Sequence, residues 1–134
     1  METPIRFTTQ GLVIKELNVG ENDRLVTIFT KDYGILKAYA SGVKSIKSKR
    51  SAACSLLTYS SFTLNRKGDN HRITEAEAIS SFFTMGMDVE ILSLCQYFCE
   101  LSSVFVEAMN PNKEFLRLIL NSLHFLTKEN LELR

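Results

Sequence analysis

The hydrophobic pattern of this chain changes period part-way along. Up to about residue 80, apolar and polar residues tend to alternate, as in a strand; beyond about residue 84, apolar residues recur every three to four positions, as in a helix. In the first part, Gly11 to Leu17 and Arg24 to Thr30 read as strands, the second rich in β-branched residues, joined by the turn-forming stretch Asn18 to Asp23. Lys31 to Gly34 makes a tight connection, with Gly34 able to take a positive φ, and leads into a third strand from Ile35 to Ser41. A longer strand, Leu56 to Arg66, then the turn Lys67 to Asn70 and a fifth strand, His71 to Ile79, complete the set. Five strands with short turns and one longer loop after the third predict a small closed or nearly closed barrel.

Alternation assigns the faces. Leu36, Ala38 and Ala40 share the core side of the third strand, and Lys37, Tyr39 and Ser41 the outer side. In the fourth, Leu56, Phe62 and Leu64 lie on the core parity, and Tyr59, Ser61, Thr63 and Asn65 on the wet one. An outer-face ring between cations and small polar residues can stack on unpaired bases, at about 1–3 kcal/mol per base. Tyr39 and Tyr59 are candidates for that role. Either ring could equally cover the barrel surface or pack under a neighbouring element.

In the helical part, Ile91, Leu94, Cys95, Phe98, Leu101, Ser102, Phe105 and Met109 form one stripe. Asn110 is expected to cap the next helix, with Pro111 at its first position. That helix carries Phe115, Leu116, Ile119, Leu120, Leu123 and Leu126 on one face. Lys113, Arg117, Asn121, His124 and Lys128 recur on the opposite one. The apolar surface is large for an antiparallel pair. Either the pair packs fully onto the barrel, or the helical part is incomplete or a partner covers it.

Composition adds exclusions. A net charge of +1, with 45% hydrophobic and 23% charged residues, is ordinary for a globular domain and excludes wholesale disorder and collagen-like repeats. The length of 134 residues suits one domain, or one small domain with part of a second. No apolar run reaches the roughly 18–20 residues that span a bilayer. Met1 to Phe7 lacks the apolar stretch of a signal peptide, so a cytoplasmic location without membrane contact is expected. The three cysteines, an odd number, fit reduced thiols.

The charge is unevenly spread. Residues 1–80 hold 12 basic and 8 acidic side chains, and residues 81–134 hold 4 and 7. No acidic residue lies between Asp32 and Asp69, a stretch that carries Lys37, Lys44, Lys47, Lys49, Arg50, Arg66 and Lys67. Its densest part, Ser41 to Ser51, reads as an exposed, mobile basic loop. Such a loop can displace counterions from a phosphate backbone, or serve only as a solvated surface.

Catalytic signatures are weak. Cys95 and Cys99 lie four apart on a helix, but a structural zinc needs four ligands, and Cys54, His71 and His124 are remote in sequence. Buried small hydrophobes are the better reading of both thiols. Asp23, Glu75 and Glu77 are the acids a metal-dependent nuclease would have to use, although strand and turn geometry explain them as well. No Gly-rich phosphate loop, HExxH or GxSxG is present, so a non-enzymatic protein is expected.

The runs Thr9 to Lys15 and Gly20 to Thr30, the pair Tyr33-Gly34, Ala40 to Lys44 with the following Lys/Arg-Ser loop, and Glu75 to Phe82 together resemble the bacterial recombination mediator family RecO. The resemblance is strong over the barrel and rests on pattern over the helices. It implies an α+β chain: a five-stranded OB-fold at 1–82, then the start of a helical domain at 83–134. Family members run on well past the position of Arg134, which implies a fragment. Any zinc would sit in the missing C-terminal part, with no cofactor in this chain.

The resemblance further implies a cytoplasmic, nucleoid-associated protein that binds single- and double-stranded DNA and anneals strands. It would act with RecR and single-strand-binding protein to load RecA on gapped DNA, without hydrolysing nucleotides. Lys44, Lys47, Lys49 and Arg50 are the expected phosphate contacts, and Lys37, Tyr39, Arg24, Arg66, Lys67 and Arg72 extend the track. The competing expectation is a protein-interaction scaffold, its basic loop binding acidic tails of partners such as single-strand-binding protein.

Overall fold

A computed structural model describes residues 5–42, 49–84, 86–106 and 110–132, without the side chains of residues 49 and 128–132. Five strands form a closed barrel: β1 (Ile5–Val19), β2 (Asp23–Thr30), β3 (Gly34–Ala40), β4 (Thr58–Lys67) and β5 (Asn70–Ser81). Around the ring the order is β1-β2-β3-β5-β4, and β4 returns to β1. All pairings are antiparallel except β3 with β5. This is the closed barrel that the pattern predicts, in the α+β OB-fold architecture that the resemblance implies.

β1 is longer than the alternation predicts because it serves two neighbours. Residues 5–12 pair with β4 and residues 11–19 with β2, so Gly11 faces Ser60 on one side and Thr30 on the other. At this crossing a Cβ on Gly11 would lie 2.5 Å from Ile28 Cγ2 and 2.9 Å from the Phe29 carbonyl oxygen. Only glycine fits there without displacing β2. Gly11→Ala is expected to cost about 1–3 kcal/mol, the usual range for overpacking, seen as a lower urea midpoint at unchanged slope.

Two cores result. Inside the barrel, Val13, Val26, Ile28, Leu36, Ala38, Ala40, Phe62, Leu64 and Ile73 pack together with Cys54. Outside it, Leu12, Ile14 and Phe29 meet Leu57, Phe82 and the helices. β1 and β2 are therefore buried on both faces around Leu12 to Ile14 and Ile28 to Phe29, which is why those stretches read as continuous apolar runs.

The segment between β3 and β4 corrects the expectation of a wholly irregular loop: Lys49–Ala53 forms a short helix, α1. Leu57, just before β4, has φ 66°, a costly conformation for a leucine. It is held because its N–H donates to the Val13 carbonyl at 3.0 Å and its carbonyl accepts from Phe82 N–H at 2.8 Å.

Two helices follow, α2 (Val89–Phe105) and α3 (Lys113–Glu132). The Asp88 side chain caps α2 by accepting from Glu90 N–H at 2.8 Å. The buried line of α2 runs through Cys95, Cys99 and Ser102 to Val106. It is rotated from the expected stripe, so Leu94 and Phe105 are exposed. α3 buries Leu116, Ile119 and Leu123, as its pattern predicts. Its cap is Asn112, which accepts from Phe115 N–H at 3.1 Å; Asn110 and Pro111 precede the helix. No helix among the described residues is long and apolar enough to cross a membrane.

Candidate functional site

The barrel closes between β3 and β5 through a parallel pairing of Tyr39 with Arg72. Side chains tie this seam. The Arg72 guanidinium carbon lies 5.3 Å from the centroid of the Tyr39 ring, and Arg72 Nη1 donates to Ser41 Oγ at 2.8 Å. The Tyr39 hydroxyl donates to the Asp23 carboxylate, which also accepts the Gly42 N–H at 2.9 Å. The Tyr39 bond, then the Gly42 bond, holds the Asp23 carboxyl below its usual range against a weaker opposing effect of burial, and the same bond pushes the Tyr39 phenol up. At neutral pH the seam thus holds an anionic Asp23, a neutral phenol and a cationic Arg72.

Beside the seam lies an open groove of about 770 Å³. Lys37 enters from β3, Lys67 and Asn65 from β4, and His71 and Arg72 from β5, with Tyr39 in its wall. Asp69 is the carboxylate among the lining residues and Asp23 stands behind Tyr39, so three Lys and Arg cations face two carboxylates and the groove is net positive. Burial, then the charge of Arg66, pushes the His71 imidazole down, which keeps it neutral at pH 7. The groove can take an anionic, planar, extended ligand. Arg72 covers one face of the Tyr39 ring, so an incoming ring would stack on the guanidinium plane or displace it.

Of the expected track, Lys37, Tyr39, Lys67 and Arg72 come together at this groove. Arg66 is half-buried and pairs with His71 across β4 and β5, close enough for its charge to act on the imidazole but outside the groove lining. Lys44 and Lys47 lie outside the described residues, and of Lys49 only the backbone is described, as the first residue of α1.

Two of the predicted phosphate contacts are turned to other work. Arg50 donates to the Ser41 carbonyl at 2.9 Å and lies 3.5 Å from that of Ile73, fastening α1 to the seam. Arg24 is buried; its Nη1 donates to the carbonyls of Cys54 at 3.1 Å and Ser51 at 3.3 Å, with the Glu16 carboxylate at 3.9 Å. It clamps α1 over the barrel end instead of facing the groove. The parity carried this signal, since Arg24 shares its side of β2 with the core residues Val26 and Ile28. Tyr59 is likewise separate from Tyr39: its hydroxyl donates to Gln10 Oε1 at 3.1 Å, and its ring lies where α3 meets the barrel.

The acids considered for a nuclease do not converge. Asp23 belongs to the seam, and Glu75 pairs with Arg6 at 2.8 Å. Among the described residues no three His, Cys, Asp or Glu side chains are grouped to hold a metal. Cys54, Cys95 and Cys99 are free, buried thiols. Burial pushes Cys54 up to about 11 and Cys99 to about 12, so neither is a nucleophile at neutral pH.

Residues 1–82 match the family described as "Recombination protein O N terminal". The chain is 37% identical to the DNA repair protein RecO of Acetivibrio thermocellus over 120 residues, 90% of this chain and 48% of that protein. It is 33% identical to the protein of the same name from Caldicellulosiruptor bescii over 120 residues, 90% of this chain and 49% of that one. The RecO of Clostridium novyi is 32% identical over 127 residues, 95% of this chain and 50% of that one. The chain spans about half the length of the curated relatives it matches.

Proposed function

The chain belongs to the recombination protein O family, and on that premise we propose that it is a non-enzymatic DNA-binding module of repair and recombination. The observation that carries this reading is the groove beside the β3–β5 seam, where Lys37, Lys67 and Arg72 converge and outnumber the nearby carboxylates of Asp69 and Asp23. Cations in such a groove neutralise phosphates without reading sequence. Tyr39 and Arg72 offer flat surfaces to unpaired bases.

In this reading the barrel, 1–82, is the nucleic-acid unit and 83–134 belongs to a helical domain. The module binds single and double strands and lowers the repulsion between complementary strands so that they anneal. It works at the nucleoid with RecR and single-strand-binding protein to place RecA on gapped DNA. The basic loop with Lys44, Lys47 and Lys49 extends the track, while Arg24 and Arg50 hold its base. A second reading, a docking scaffold, is favoured by the exposed Leu94, Tyr97, Leu118 and Phe125 of the helices.

The test is the anisotropy of labelled single-stranded DNA across a salt series. Lys37 and Lys67 are exposed, so Lys37→Gln/Lys67→Gln should leave the fold intact. If both meet phosphates, the log–log salt slope should shrink by up to about 1.4, at about 0.7 per contact. An unchanged slope removes the groove from the DNA path. Weak DNA binding at physiological salt with tight binding of an acidic peptide supports the scaffold instead.

A further inference from the structure

A second cluster of cations lies away from the groove, where the start of α3 meets the turn between β2 and β3. Lys113 Nζ is 3.9 Å from Asp32 Oδ1, and Asp32 Oδ2 accepts from Thr9 Oγ1 at 2.9 Å. This ties the helix to the barrel. Beside the contact is a cavity of about 220 Å³ lined by Lys31 from the turn, Lys113, Arg117 and Asn121 from α3, and Tyr59 from β4. That volume is several times the roughly 30 Å³ a water occupies in the liquid, and so is room for a phosphate group. Its floor is apolar, formed by Leu116 and Leu120.

No residue is shared between this cavity and the seam groove. Its three cations come from two elements far apart in sequence, and Asp32, already bonded to Thr9, is the carboxylate paired with Lys113. A polar face continues from these cations along α3. Lys113, Arg117, Asn121 and His124 are all exposed and spaced i, i+4, i+8 and i+11, which puts them on one face over roughly 16 Å. A strand lying along that face would meet cationic or polar side chains at each turn.

We propose that this junction is a second phosphodiester-binding site, taking the backbone of a nucleic-acid strand other than the one in the seam groove. The inference rests on the DNA-binding reading and deepens it. One chain then carries two strands on two separate surfaces, each neutralised locally. Tyr59, hydrogen-bonded to Gln10 at the cavity wall, is a positioned surface of this second site.

The test counts binding events on the full chain with a short, non-self-complementary, labelled oligonucleotide, by anisotropy titration and by mass of the complex. Wild type should bind two per chain. Lys31→Gln/Lys113→Gln/Arg117→Gln should weaken one event at least about tenfold and reduce its salt slope by up to about 2, leaving the other unchanged. Lys37→Gln/Lys67→Gln should show the reverse. Lys31→Glu/Arg117→Glu keeps the Lys113–Asp32 pair and should lose the same event as the triple variant, which guards against a folding defect. Two events unaltered in both junction variants, or a single event in wild type, overturns the second site and leaves the groove standing. No DNA bound by wild type at all overturns both readings.

Discussion

Arg24→Met is expected to destabilise the fold by about 2–4 kcal/mol while leaving the salt dependence of DNA binding unchanged. Methionine keeps much of the stem but removes the donors, so the carbonyls of Ser51 and Cys54 lose the guanidinium bonds they now accept. Hydrogen bonds to a charged group contribute about 1.5–3 kcal/mol each, and stranding one member of a buried ion pair costs about 3–5 kcal/mol. Glu16 tempers the loss, because its carboxylate is partly exposed and still accepts from Leu56 N–H at 2.7 Å. Urea unfolding gives the stability, and the anisotropy salt series gives the slope. A slope reduced by about 0.7 with little change in stability would instead make Arg24 a phosphate contact.

Phe29→Ala should be the more damaging of the two. Phe29 is fully buried on the outer side of β2, with its ring centroid 6.1 Å from that of Phe115 on α3. It also belongs to the layer that contains Leu12, Leu57 and Phe82. Truncating a buried phenylalanine costs about 3–5 kcal/mol, a large share of the roughly 5–15 kcal/mol that holds a small domain folded. The missing ring lies between barrel and helices, so the expected signature is a split. Helical circular dichroism should fall at lower urea than hydrogen-exchange protection in the barrel strands. A single transition shifted by less than 1 kcal/mol, about the lower end of ordinary substitutions, would show that the layer does not couple the two parts.

Much of the barrel was legible because one strand face pays no attention to its neighbours: Leu36, Ala38 and Ala40 alternate with Lys37 and Tyr39, and the structure buries the first three. The pattern was less clear wherever a second layer intervened. Around Leu12 to Ile14 and Ile28 to Phe29 both faces are covered, so alternation disappears. The rotated stripe of α2 has the same origin, since its packing on the barrel decides which side of a broadly apolar helix is buried. α1 carried no periodic signal, because five residues make little more than one turn.

The candidate site divides in the same way. That the chain is basic between Asp32 and Asp69, strand-rich before about residue 80 and helical after it follows from residue order alone, as does the family resemblance. Charge is written in composition, but direction is not. Strand parity sets Arg24 apart, on the side of Val26 and Ile28, but Arg50 and Arg72 look alike in the sequence; the fold fastens the first of these two to backbone carbonyls and lays the second on Tyr39. Lys31 and Lys113 are 82 positions apart, and only the docking of α3 against the β2–β3 turn makes them neighbours. Side-chain chemistry is local, whereas convergence depends on contacts between distant segments, so the tertiary structure alone decided which cations share a surface.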